Sequence, residues 1–230
     1  MHVPDGFIDA QTSFAAGVVA AGGIGVSLRR VGQATLESRA AMTGLVAAFV
    51  FAAQMLNFPV VSGTSGHLIG GVLAAVLVGP WLATLAMSTV LGVQALVFAD
   101  GGISALGINI VNMALVPCLG GYALFVLLRA VLPRSRTGVL AATAVTAWAS
   151  VVAASIAFTV EYAIGGTGSV PIGQVFGAMV GVHGIIGVGE AVITTLTVGA
   201  VLATRPDLVV GAADLPAEVL HPHDPMDVSA

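Results

Sequence analysis

The first two residues, Met1 and His2, place three nitrogen donors in succession: an α-amine, a backbone amide and an imidazole. All three can turn toward one small cation. Amine and amide nitrogens close a five-membered chelate ring with it, and the amide and Nδ1 close a six-membered one. One equatorial corner of a planar site is then left over, and a second imidazole can fill it. His67, in Gly63-Thr64-Ser65-Gly66-His67-Leu68, is the candidate. Four nitrogens in a plane suit Ni(II) or Cu(II), and imidazole also suits neighbouring first-row ions. The scheme needs Met1 in place with a free amine, and a bulky His at position 2 is expected to block removal of the initiator.

Other polar residues sort around this pair. The glycines near His67 permit a tight non-helical turn, and Thr64 or Ser65 can cap the helix that follows. Asn109 and Asn112 share a helix face at i, i+3 spacing. With Asn57 they are candidates to orient ligands by hydrogen bonds, the alternative being adhesion between helices. His183 and Glu190 lie two turns apart on one face of the last apolar run. Their spacing is not HExxH, which excludes a zincin site. They are expected in the inner half of that span, far from His2, in a structural or coupling role. His221 and His223 fall in a polar, proline-rich tail where disorder is the default. Cys118 is the only cysteine, which rules out an internal disulfide, and its apolar setting reads as a small buried residue. There is no lysine, so neither a Walker phosphate loop nor Schiff-base chemistry is available.

The elements that must position these residues are membrane helices. Hydrophobic residues make up 57% of the chain and charged ones 8%, against about 25% charged in soluble domains. Mean hydropathy is +1.05. Apolar runs predict an all-α, polytopic protein with seven spans, near 13–28, 38–56, 66–79, 81–99, 107–131, 138–161 and 171–203. The third is short, and it is expected either to be a half-span or to merge with the fourth across Gly79-Pro80. With the N-terminus outside and the C-terminus cytoplasmic, all seven arginines fall at cytoplasmic ends, as the positive-inside rule requires. The amine, His2 and His67 then share the outer side. Asp5 and Asp9 precede the first basic residue, so the first run is expected to stay as a helix rather than act as a signal peptide. Residues 1–205 form one integral domain, and 206–230 are expected to be a flexible cytoplasmic tail.

Several motifs in order resemble the CbiM/NikM family. They are Met1-His2-Val3-Pro4-Asp5-Gly6-Phe7, Gln54 to Pro59, Gly63 to Leu68, Asp100-Gly101-Gly102, Leu106 to Met113, and His183 to Glu190. The resemblance covers nearly all of residues 1–205. It implies the substrate-binding component of an energy-coupling-factor importer for cobalt or nickel in a prokaryotic plasma membrane. It also implies that Met1, His2 and His67 hold the ion, and that the fold has seven helices. Its implied partners are a second membrane protein, a pair of cytoplasmic ATPases and a small extra membrane subunit, with no nucleic acid. The chain would then be no enzyme and carry no cofactor, the ion being its cargo. Family frequency leans to cobalt, and planar coordination leans to nickel. The competing reading is a stand-alone secondary transporter or channel for a small solute, using His183 and Glu190.

Overall fold

The computed structural model describes residues 1–59 and 65–216. Among the described residues, six helices are long and apolar enough to cross a membrane: α1 (Ala10–Arg30), α2 (with Thr35–Gln54 as its apolar stretch), α4 (Pro80–Val97), α5 (Leu106–Val131), α6 (Arg136–Gly165) and α7 (Ile172–Thr204). Between α2 and α4 lies α3 (Gly71–Val78), eight residues, every one buried. The chain is therefore a seven-helix, multi-pass membrane fold, with the third crossing made by a short helix. A two-residue antiparallel ladder, Phe58 against Gly66 and Pro59 against Ser65, precedes it.

Eight residues of helix span about 12 Å, well short of a hydrocarbon core of about 30 Å. Non-helical backbone from His67 to Gly70 precedes α3 in the chain. Irregular backbone survives in a membrane only when protein surrounds it and satisfies its polar groups. Here it is surrounded. Gly71 lies against Pro117 of α5, and a Cβ on Gly71 would come within 2.6 Å of the proline ring. Gly121, also on α5, meets Val72 in the same way. Pro117 sits in a π-helical stretch, Val111–Gly121, and such wider turns interrupt the regular ladder that proline cannot join. Cys118 is buried beside Gly71, as a small packing residue. At the other end Gly79 and Pro80 turn the chain into α4. Proline at the first helical position suits that turn, since its missing N–H would have no partner there.

The arginines mark one face. Arg30, Arg39, Gly79, Pro80 and Val210 line one cleft, and Arg129, Arg134, Val210 and Asp214 line another beside it. Arg30 also lies over the Trp81 ring at 5.7 Å. The positive-inside rule makes this the cytoplasmic face. The residues just past 206 pack on the bundle. Val209, Ala212 and Leu215 are buried, and Arg129 binds Asp214 at 2.7 Å. These three residues pack the segment that follows Pro206 against the bundle beneath α3. His221 and His223 lie outside the described residues.

Close approach of α1 to α5 rests on a glycine. A Cβ at Gly107 would come within 2.5 Å of the Gly17 backbone, whereas one at Gly22 would meet nothing within 4 Å. Gly107→Ala is expected to cost about 2 kcal/mol through overpacking. Gly22→Ala is expected to leave stability unchanged or raise it by roughly 0.5–1 kcal/mol through helix propensity. Thermal unfolding of the two variants in detergent distinguishes them.

Candidate metal centre

Residues 1–9 thread between the loop that follows α4 and the α6–α7 connection. Asp9 N–H donates to Gly165 O at 2.7 Å, and Thr167 N–H donates to Phe7 O at 3.1 Å. Phe7 packs against Phe158 and Tyr162 of α6. On the other side, Val3 is held at both polar atoms. Its N–H donates to Asn109 Oδ1 at 2.8 Å, and its carbonyl accepts from Gly102 N–H at 2.8 Å and from Asn109 Nδ2 at 3.2 Å. Gly101 and Gly102 are glycines because the N-terminal segment lies on them. A Cβ at Gly101 would stand 3.1 Å from His2 Cδ2, and one at Gly102 would collide with Asp5 N. Met1, at 0% exposure, and His2, at 4%, are sealed in as a result.

A chain of hydrogen bonds fixes which nitrogen of His2 carries the proton. The Ile69 carbonyl accepts from Gln54 Nε2 at 2.7 Å. Gln54 Oε1 accepts from Gln94 Nε2 at 2.9 Å. Gln94 Oε1 stands 3.1 Å from His2 Nε2. A carbonyl can only accept, so each amide is oriented in turn and His2 must donate from Nε2. Its lone pair therefore sits on Nδ1. The same logic applies to His67, whose Nδ1 donates to its neighbour Leu68 O at 2.7 Å. The lone pair of His67 is on Nε2. Both nitrogens are buried without a hydrogen-bond partner among the described residues. The two rings stack with centroids 4.6 Å apart. The structure thus brings Met1, His2 and His67 together, with two imidazole lone pairs free.

Electrostatics disfavour protonation of Met1 and His2. Burial holds the Met1 amine well below its ordinary value, with Asp100 opposing. Burial, reinforced by the amine, lowers the His2 imidazole to about 4, with Asp100 and the Gln94 hydrogen bond opposing. Asp100 Oδ1 lies 3.2 Å from His2 Nδ1. Among the described residues, no group of three or more His, Cys, Asp or Glu side chains stands ready to hold a metal. An ion at His2 and His67 would have to draw on main-chain nitrogen as well.

The other expected residues divide. Asn109 positions Val3, as above. Asn57 Nδ2 donates to Asp100 Oδ2 at 3.4 Å, which links it to the carboxylate beside His2. Asn112 does not face His2; its Nδ2 donates to Glu161 Oε2 on α6 at 2.6 Å. Thr64 lies outside the described residues, and of Ser65 only the backbone is described, in the short ladder. His183 and Glu190 are not remote from the N-terminus. Glu190 accepts from Ile69 N–H and Gly70 N–H, each at 2.6 Å. His183 is fully buried, donates from Nδ1 to Met179 O at 2.8 Å, and is within electrostatic reach of the Met1 amine and His67. The expectation of distance counted residues along a regular span. The non-helical stretch before α3 instead brings its backbone to Glu190, in the middle of α7.

Gln54, Gln94 and Asp100 were missed as individual site residues. The two glutamines did carry a signal, because a buried amide in an apolar span needs a partner.

The comparisons agree with this architecture. A model of the cobalt uptake substrate-specific transmembrane region, CbiM, matches residues 2–208. The chain belongs to the CbiM family. It is a multi-pass membrane protein of this cobalt/nickel transport family. Among CbiM relatives, a putative metal transport protein of Haloquadratum walsbyi is 40% identical over 209 residues, 91% of this chain and 93% of that one. A putative fused nickel transport protein NikMN of Archaeoglobus fulgidus is 38% identical over 209 residues, 91% of this chain and 68% of that one. A crystal structure of a truncated transition metal transporter superposes with a TM-score of 0.81 at 29% identity, covering 88% of this chain and 99% of that one.

The His2 environment sets a pH response. In the unfolded chain the ring protonates near 6.5, and in the folded chain only near 4. The depressed folded value means that the His2 contribution is complete above about 6.5 and is lost as the pH falls toward 4. Imidazole nitrogen NMR is expected to show His2 neutral, with its proton on Nε2, down to about pH 4. A ring that titrates near 6.5 would contradict the assigned burial.

Proposed function

We propose that this CbiM-family protein is the substrate-binding membrane component of an ATP-driven importer of the energy-coupling-factor type. Its cargo is Co(II) or Ni(II). The ion is held by the Met1 amine, the His2 backbone nitrogen, His2 Nδ1 and His67 Nε2. One observation carries the reading: two buried imidazole nitrogens have their lone pairs freed by fixed hydrogen bonds at their other ring atoms, next to a buried amine. Unpartnered buried polar atoms are rare in folded proteins and call for an occupant. The donors are neutral nitrogens, which match late first-row ions and discriminate against Mg(II) and Ca(II), which prefer oxygen.

A role in a larger assembly follows from the fused relative, whose name is that of a nickel transport protein and of which the matched region is 68%. In the proposed importer the chain binds and delivers the ion, while a partner membrane protein and two ATPases supply the energy. Glu190, the carboxylate that a stand-alone ion-coupled carrier would call upon, is already committed to two backbone N–H groups.

Calorimetric titration of the purified protein with Co(II) and Ni(II) tests the site. His2→Ala, His67→Ala, and a protein with one residue added before Met1 are each expected to lose more than about a hundredfold in affinity, exceeding the loss of an outer partner. Undiminished binding by the extended protein would rule out the amine as a ligand. Glu190→Gln keeps one acceptor for the Ile69–Gly70 turn and is expected to lose about tenfold.

A further inference from the structure

The four proposed nitrogen donors are nearly or wholly sealed, with Met1 and His67 at 0% exposure and His2 at 4%. A hydrated ion arriving from outside cannot meet them together. Asp100 is different, since its side chain is 22% exposed while its Oδ1 stands 3.2 Å from His2 Nδ1. That nitrogen carries a lone pair, because Nε2 is the donor to Gln94, and among the described residues it has no hydrogen-bond partner. Two lone-pair atoms thus face each other at close range, an arrangement that favours a cation between them. Donors bound at about 2.1 Å and at right angles on one ion lie about 3 Å apart. The Asp100–His2 separation fits such a pair.

Asp100 is also held in place. Ala99 adopts a left-handed conformation, φ 53°, which costs an L-residue about 1 kcal/mol. The turn it makes sends Asp100 N–H back to Gln94 O at 3.0 Å. The residue that orients the His2 ring therefore also anchors the backbone of Asp100. Asn57 steadies the second carboxylate oxygen.

We propose that Asp100 is the first-contact ligand of the transport site: a hydrated divalent transition ion binds between Asp100 Oδ1 and His2 Nδ1 before the nitrogen donors close around it. The inference rests on the metal-site reading above. An anionic oxygen at the rim exchanges with the water shell of the ion and holds it beside Nδ1. The amine, the amide nitrogen and His67 Nε2 then replace the remaining waters and the carboxylate, the amide releasing its proton to the departing water. In this sequence Asp100 governs the rate of capture, and the final complex is all-nitrogen.

Stopped-flow mixing of Ni(II) or Co(II) with the purified full-length protein, followed through the visible bands of the bound ion, tests this. Asp100→Asn keeps the size of the side chain and removes the anionic donor. It is expected to slow association by about tenfold or more, with the end-point spectrum unchanged. Asp9→Asn removes an equal charge from the same face and retains the helix cap that Asp9 provides, so it is expected to leave the rate within about twofold of the unaltered protein. Equal slowing by both variants would reduce the effect to the general field and overturn the proposal. So would an unchanged rate in Asp100→Asn, or a changed final spectrum, which would make Asp100 a permanent ligand. The protein with one residue added before Met1 separates the two readings. If that protein forms the same final complex, the nitrogen site itself is wrong. If it fails to, while Asp100→Asn captures at the normal rate, only the first-contact role falls.

Discussion

The carbonyl oxygen of Ile69 can only accept a hydrogen bond, and that one-way property orders the whole centre. It forces Gln54 to donate, turns the Gln54 oxygen toward Gln94, turns the Gln94 oxygen toward His2, and leaves the His2 lone pair on Nδ1. The four residues come from four different parts of the chain: the N-terminus, α2, α4 and the stretch before α3. A polar chain of this kind in an apolar interior is costly when incomplete and rigid when complete. Here each of these links has its partner, so the tautomer of a single imidazole is set by packing distributed over the helices.

The same carbonyl belongs to backbone that no helix or sheet could satisfy. Between Gly66 and Gly70 the chain is neither helix nor sheet inside the bundle, and its polar groups are met one by one. Glu190 takes the N–H groups of Ile69 and Gly70, Gln54 serves the Ile69 carbonyl, and the His67 ring serves Leu68. The membrane imposes this accounting, since no water is available to complete it. One consequence is chemical. The His67 ring uses Nδ1 to satisfy the backbone and is left with Nε2 for other work. Irregular backbone, structural carboxylate and free imidazole lone pair are aspects of one arrangement.

Much of this was legible in the sequence. The seven crossings and their orientation followed from apolar runs and arginines, because hydrocarbon thickness and charge placement act on composition directly. The grouping of Met1, His2 and His67 followed from ligand chemistry together with that topology. What stayed hidden depended on three-dimensional pairing. Glu190 lies 121 positions from the N–H of Ile69 that it binds, and no spacing rule links the two. Gln54 and Gln94 stand 40 positions apart, and their pairing depends on how α2 and α4 pack. The distance between His183 and the N-terminus was overestimated by assuming regular helix where the chain before α3 is not helical. The tail was read from its proline and charge content, which conceals the apolar contacts of Val209, Ala212 and Leu215.

Charge balance explains why so few side chains suffice. A divalent ion in a sealed, low-dielectric site needs compensating negative charge, since an uncompensated buried charge is far costlier than any single hydrogen bond. Two neutral imidazoles and a neutral amine supply none. In the proposed coordination the His2 backbone nitrogen gives up its proton and contributes one negative charge. Asp100, close to both His2 and the amine, contributes the second from the rim, whether or not it touches the ion. The pair neutralises a doubly charged cargo without a buried carboxylate ligand, and one of the two negative charges exists only while the metal is there to displace the amide proton. When the ion leaves and the amide regains its proton, the interior is left with neutral donors. A carrier that must hold its cargo and then let it go gains from that arrangement: the charge that stabilises the bound state does not persist as a buried penalty in the empty one.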